Sequence, residues 1–122
     1  MDPHNSSTPE ELIQRAERLL KAGPKATYYA VQSQAVINLF IDLVEELSQN
    51  PTPADFIQML RQEFNHALEI VNSSTSQVSR LQATGHAQCA VNLLARFDKS
   101  EEQKKRHEQM AELMEKVLNH TI

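Results

Sequence analysis

Residues that could bind a metal ion or act as a nucleophile occur in two places in this 122-residue sequence. Glu63 and His66 have the Glu-x-x-His spacing of a ferritin-like di-metal site, which needs two such pairs and two further Glu residues. His86 and Cys89 lie three residues apart, so a helix would place them on one face, as an edge of a metal site or a cysteine–histidine pair. Both patterns are incomplete, because no Glu stands three positions before His86 or His107.

A His-phosphotransfer domain is a further option for a helical chain that carries histidines. Such domains resemble one another through a Lys and a Gly shortly after the reactive His, and neither His66 nor His86 is followed in this way. A Gly-rich phosphate loop is also absent from the sequence. We therefore predict a protein that is not an enzyme and has no catalytic residue, cofactor or metal ion. A metal-binding or His-phosphotransfer helical bundle is kept as an alternative.

The segment SRLQATGHAQCAVNLLARF, residues 79–97, resembles the helix-turn-helix pattern of bacterial regulators. In that resemblance Gly85 is the turn glycine within residues 84–87, and Val91 and Leu94 are buried positions of the recognition helix. The resemblance implies a DNA-binding regulator, which is the first alternative to the function predicted below.

Composition and charge restrict the classes of partner. The net charge is −4, whereas phosphate binding relies on a positive surface, so a nucleic-acid partner is not expected. Cys89 is the one cysteine, which excludes an intramolecular disulfide and favours a reducing compartment. The N-terminus lacks the pattern of a signal peptide, and the longest apolar stretch is shorter than the ~20 residues that span a bilayer. We expect a cytoplasmic protein without a membrane partner.

The elements that position these residues are predicted to be helices throughout. Thr8, Pro9 and Glu11 form a helix start signal, and a polar run at 72–76 indicates a break with Ser74 as the next N-cap. With only two glycines and many Ala, Leu, Gln and Glu residues, the sequence predicts an all-α fold. We expect a flexible N-terminal tail and then a single helical domain at 8–122, a compact bundle of about five helices. The predicted ranges are 1–7 for the tail and 9–22, 26–49, 53–72, 76–97 and 101–119 for the helices.

The segment QAVINLFIDLVEEL, Gln34–Leu47, is more apolar than one buried helix face requires. On a wheel of 100° per residue its apolar side chains fill about 200°, against the stripe of about 100° that a surface helix needs. One flank, with Val36, Leu39, Leu43 and Leu47, is assigned to the core of the chain. The other flank, with Ile37, Ile41 and Val44, is expected to meet either a neighbouring helix or a second chain.

This second flank leads to the predicted function. We expect a non-catalytic helical protein–protein interaction module, a regulator that binds and masks a partner protein, such as an antagonist or antiactivator of a transcription factor. The chain is also expected to form a homodimer. The predicted partner or dimer interface consists of Tyr28, Tyr29, Ile37, Phe40, Ile41, Val44, Met110 and Met114.

Overall fold

The structure, a computed structural model, describes residues 8–119, and all regular elements in that range are α-helices. The predicted all-α class is therefore confirmed, whereas the predicted tail at 1–7 lies outside the described residues. Among the described helices, none combines the length and the apolar character needed to cross a bilayer. The helices are α1 (Pro9–Lys21), α2 (Pro24–Ala30), α3 (Gln34–Gln49), α4 (Ala54–Ser73), α5 (Gln77–Phe97) and α6 (Glu101–Asn119).

Side-chain caps begin α1 and α5. The Thr8 hydroxyl accepts a hydrogen bond from the backbone N–H of Glu11 at 3.2 Å, so the predicted start of α1 is confirmed. The predicted break between α4 and α5 is also present, but its N-cap is Ser76 rather than Ser74. The Ser76 hydroxyl accepts a hydrogen bond from the Ser79 N–H at 3.3 Å, while the Ser74 hydroxyl accepts one from the Ser76 N–H and shapes the link.

The predicted single helix over 26–49 is wrong, because it is divided into α2 and α3. The Ser33 hydroxyl accepts a hydrogen bond from the Ala35 N–H at 3.2 Å and caps a new helix at the start of the apolar segment. The Thr27 hydroxyl, which is buried, contacts the carbonyl oxygens of Leu19 at 3.2 Å and Gly23 at 3.0 Å. The contact with Leu19 links α2 to the last turn of α1.

Two clusters of buried apolar side chains form the core, and α4 and α5 contribute to both. The first joins α1, α3 and the first half of α4 to the second half of α5; the second joins the rest of α4 and α5 to α6. Because α4 and α5 pack along each other through both clusters, they form the central pair of the fold. Of the four α3 side chains assigned to the core from the sequence, Leu39, Leu43 and Leu47 lie in the first cluster, whereas Val36 is half-buried and does not belong to it.

Candidate functional site

An open apolar groove of about 560 Å³ lies between α3 and α5, and we call it the α3–α5 groove. Its volume is within the range of the pockets in which proteins bind small molecules. Both walls show the spacing of a single helix face, i, i+3, i+4, i+7 and i+8. The α3 wall consists of Ile37, Phe40, Ile41, Val44 and Glu45, and the α5 wall of Gly85, Gln88, Cys89, Asn92, Leu93 and Arg96, with Val31 also lining the groove.

The groove exists because only one flank of α3 is covered by the chain itself. Ile37 is 42% exposed and Ile41 is 50% exposed, whereas Phe40 and Val44 are half-buried at the edge of the first core cluster. Proteins rarely expose two large β-branched side chains one helical turn apart on the same helix. The structure thus brings four of the predicted interface residues together on one surface.

The two predicted tyrosines lie on α2, beside this groove. Tyr28 is half-buried with its ring against Gly85, so closely that a Cβ atom at position 85 would be 2.8 Å from the Tyr28 Cδ1. Tyr29 is 57% exposed and packs edge-on against Tyr28, with 5.3 Å between the ring centroids. Tyr28 therefore holds α2 against α5, and Tyr29 is the more accessible of the two.

The two predicted methionines on α6 do not line the groove, and they differ in exposure. Met110 is 3% exposed and lies in the second core cluster. It therefore belongs to the chain's own core, which corrects the prediction that it lies in a partner interface. Met114 is 42% exposed. Both belong to one apolar stretch of the sequence, but the packing of α6 on α5 covers only the first of them.

Two charged side chains line the groove, one on each wall. Glu45 is on α3 and Arg96 is on α5, and both are exposed. Within residues 8–119 neither forms an ion pair or a side-chain hydrogen bond, whereas the neighbouring amides of Gln88 and Asn92 hydrogen-bond to each other at 3.0 Å. The walls therefore present one negative and one positive group that are free to pair with another molecule.

Cys89 is half-buried on the α5 wall, where it contacts the first core cluster. Burial raises the pKa of its thiol to about 12, because the thiolate would lose its hydration there. A nucleophilic cysteine needs a lowered pKa. The predicted alternative of a cysteine–histidine pair is therefore not supported, and Cys89 serves as an apolar wall residue.

The structure contradicts the helix-turn-helix predicted for residues 79–97. Residues 79–97 lie entirely within α5, which stays helical through 84–87, where the turn was placed. Gly85, the assumed turn glycine, has a negative φ and instead allows the Tyr28 ring to approach the helix. Since the segment is one continuous helix, it has no separate recognition helix.

A buried polar pair that the sequence analysis missed links α4 and α5. His86 is completely buried, and its Nε2 lies 3.0 Å from the Glu63 Oε1. Burial lowers the pKa of His86, although the hydrogen bond and the charge of Glu63 oppose this shift. A phosphoryl donor cannot reach this imidazole. The sequence contains one signal of this pair, the polar residue Glu63 on α4. The Glu-x-x-His spacing instead suggests a pair with His66 on the same helix.

A second polar centre joins α4 to the start of α6. The Asp98 Oδ2 accepts hydrogen bonds from Arg61 Nη2 at 2.9 Å and Arg106 Nη1 at 3.2 Å, and Oδ1 accepts one from the Ser100 N–H at 3.0 Å. Burial alone would raise the pKa of Asp98, but Ser100, Arg61 and Arg106 together hold it well below its ordinary value. Every oxygen of this carboxylate is occupied, so the centre is structural.

In the described part of the chain no three His, Cys, Asp or Glu side chains are grouped in a way that could hold a metal ion. Comparison with protein-family profiles, with curated proteins and with solved structures finds no match to this chain. The α3–α5 groove is consequently the strongest candidate for a functional site.

Proposed function

We propose that this protein is a non-catalytic interaction module that binds a partner protein in the α3–α5 groove. The observation that supports this most strongly is the exposure of Ile37 and Ile41 on the α3 wall of this groove. Because each side chain is about half exposed, covering it would contribute roughly 1 kcal/mol, about half the value for complete burial, so a partner that covers both gains part of its affinity there.

A concrete form of this function is an antagonist in the cytoplasm that masks the surface of another regulator. The protein would act by occupying an apolar surface that its partner needs for another contact, for example the dimerisation surface of a transcription regulator. Such a role needs a groove and a rigid scaffold and no reaction chemistry. The packed pair of helices α4 and α5, which contributes to both core clusters, supplies that scaffold.

The predicted homodimer would use the same flank of α3. However, α3 carries Asp42, Glu45 and Glu46 and no basic residue. If two copies of α3 packed face to face through Ile41, the two Glu45 side chains would approach each other, which is unfavourable unless Arg96 of each copy pairs with Glu45 of the other. We propose a different protein as the occupant, and the oligomeric state of the purified chain distinguishes it from a second copy.

The test is capture from an extract of the native cells, using the wild type and the double variant Ile37→Glu/Ile41→Glu as baits. Both side chains are exposed, so the variant is expected to stay folded. Val78→Glu is the control, because it places a charge on an exposed apolar residue of α5 that lies outside the groove and outside the predicted interface. The proposal predicts a protein captured by the wild type and by the control and lost with the double variant. Equal capture by all three baits would overturn it.

Sedimentation of the purified wild type separates the two occupants. A monomer across the whole concentration range, combined with the capture pattern above, supports a different protein as the partner. A dimer that dissociates in Ile37→Glu/Ile41→Glu and not in Val78→Glu would show that a second copy occupies the groove, and would restore the predicted homodimer.

A further inference from the structure

We infer that the occupant of the α3–α5 groove is an amphipathic helix of another protein, about three turns long, with basic residues on the flank facing Glu45 and acidic residues on the flank facing Arg96. This inference rests on the proposed function and specifies the chemistry of the partner.

The backbone chemistry of the groove favours a helix over an extended segment. Both walls are faces of regular helices, whose interior N–H and C=O groups are already bonded within α3 and α5. An extended peptide would thus find no free backbone group on either wall. It would meet only the side-chain amides of Gln88 and Asn92, which already bond to each other at 3.0 Å, and would leave most of its own polar groups without partners. A helix satisfies its own backbone and presents a purely apolar stripe.

The length of the groove sets the length of the occupant. The α5 wall extends from Gly85 to Arg96, which at 1.5 Å per residue is about 16 Å, or three helical turns. A helix of this length presents apolar residues at i, i+3, i+4 and i+7 on one face. This stripe matches the apolar spacing of the α3 wall.

The charges at the groove determine the flanks of the occupant. Glu45 on one wall and Arg96 on the other have no ion-pair partner in the part of the chain that the structure describes. Charged pairs across an interface contribute to specificity and orientation. A helix seated between these walls pairs both groups only if its two flanks carry opposite charges in one order.

A second copy of the chain does not offer such a helix. Among the described residues, the exposed large apolar side chains are Tyr29, Val78 and Met114, each alone on its helix, and the pair Ile37 and Ile41. Only α3 therefore presents an apolar ridge for docking. Its polar residues include three acids and no base, so it cannot supply the basic flank that Glu45 requires.

The experiment is selection from a displayed library of peptides of about 12 residues. Leu or Ile is fixed at i, i+3, i+4 and i+7, and the flanks vary among Lys, Glu, Ala and Gln. A second library is identical except for a central Pro, which prevents a helix. The baits are the wild type, Ile37→Glu/Ile41→Glu, Glu45→Lys/Arg96→Glu and the control Glu112→Lys/Lys116→Glu. The control exchanges two exposed charges on α6.

The inference predicts enrichment from the helical library on the wild type and on the control, with basic residues selected on one flank and acidic residues on the other. Exchanging the flanks of a selected peptide should weaken binding about fivefold, as expected for two exposed ion pairs. The Glu45→Lys/Arg96→Glu bait should reverse this preference, and Ile37→Glu/Ile41→Glu should enrich nothing.

Equal enrichment from the proline library would overturn the inference, as would a flank preference that is unchanged on the charge-exchanged bait. The absence of any enrichment from the helical library would also overturn it. If the native partner is nevertheless lost with Ile37→Glu/Ile41→Glu, the proposed function stands and only the helical occupant is rejected. If the double variant keeps the native partner as well, both proposals fail.

Discussion

Cys89 shows how a residue's chemistry depends on its position in the fold. In the sequence it stands three residues after His86 and resembles half of a reactive pair. In the structure its thiol is packed against apolar neighbours, while His86 is paired with Glu63 on another helix. Neither side chain therefore activates the other, and the pair has no catalytic geometry.

The first prediction concerns the reactivity of Cys89. Because burial raises the pKa of the thiol to about 12, the thiolate is scarce at pH 8, and reaction with a disulfide reagent should be about 100-fold or more slower than for an unfolded thiol. The measurement is the rate of reaction of the native protein compared with the same chain in denaturant, where Cys89 is the sole thiol. Equal rates in the two conditions would contradict the burial of this group.

The second prediction concerns Asp98. Replacing it with Asn at pH 7 removes the charge that Arg61 and Arg106 share, and should lower the free energy of unfolding by about 2–3 kcal/mol. The pKa of Asp98 is depressed in the folded state, so its contribution is present above the unfolded pKa of about 3.9 and is lost as pH falls below it. Denaturant unfolding at neutral and acid pH measures both effects.

The control for Asp98 is Asp42→Asn, on the exposed surface of α3. We expect a small change in stability for this variant at neutral pH. The difference between wild type and Asp98→Asn should shrink at acid pH. A difference that stays constant as the pH falls would show that the carboxylate charge is not what stabilises the link between α4 and α6.

At the scale of the elements, the contact between α2 and α5 depends on the absence of a side chain at Gly85. Alanine there would gain about 1 kcal/mol in helix propensity, but its Cβ would lie 2.8 Å from the Tyr28 ring. We therefore expect Gly85→Ala to destabilise the wild type and to stabilise the Tyr28→Ala variant.

Unfolding of the four proteins in this double-mutant cycle measures the coupling between the two positions. A stabilising effect of Gly85→Ala in both backgrounds would show that the Tyr28 ring does not constrain α5. The change of sign is the expected result.

The helix ends show what the sequence could predict. Thr8 and the polar run before α5 are local signals, since a hydroxyl caps the N–H groups of the next turn whatever the rest of the chain does. The break at Ser33 has a local signal too, since residues 32–34 are all polar, but it was missed because apolar residues resume on both sides of this short segment. The contact of Thr27 with Leu19, which holds α2 on α1, is tertiary and was not predictable.

The candidate site was predictable in part for a similar reason. Helical periodicity placed Ile37, Phe40, Ile41 and Val44 on one flank of α3, because side chains at this spacing share a face in any helix. The opposite wall on α5 was not predictable, since the register between two helices is set by packing. The same limit explains why the pairing of Glu63 with His86 was missed.

At the scale of the whole molecule, the groove results from the way the helices are distributed between the two core clusters. Helix α5 belongs to both clusters, whereas α3 contacts only the first. The second apolar flank of α3 is thus left without a covering helix, next to the exposed part of α5. A scaffold of this kind can offer a preformed apolar surface, which reduces the ordering cost of binding.

The most direct test of this account is the dissociation constant of the purified partner for three proteins, measured by titration calorimetry. They are the wild type, Ile37→Glu/Ile41→Glu and the control Val78→Glu, whose valine is 63% exposed on α5 outside the groove. The account predicts that the double variant binds at least about 100-fold more weakly, and that the control binds like the wild type. A folded double variant that binds with the wild-type dissociation constant would contradict it.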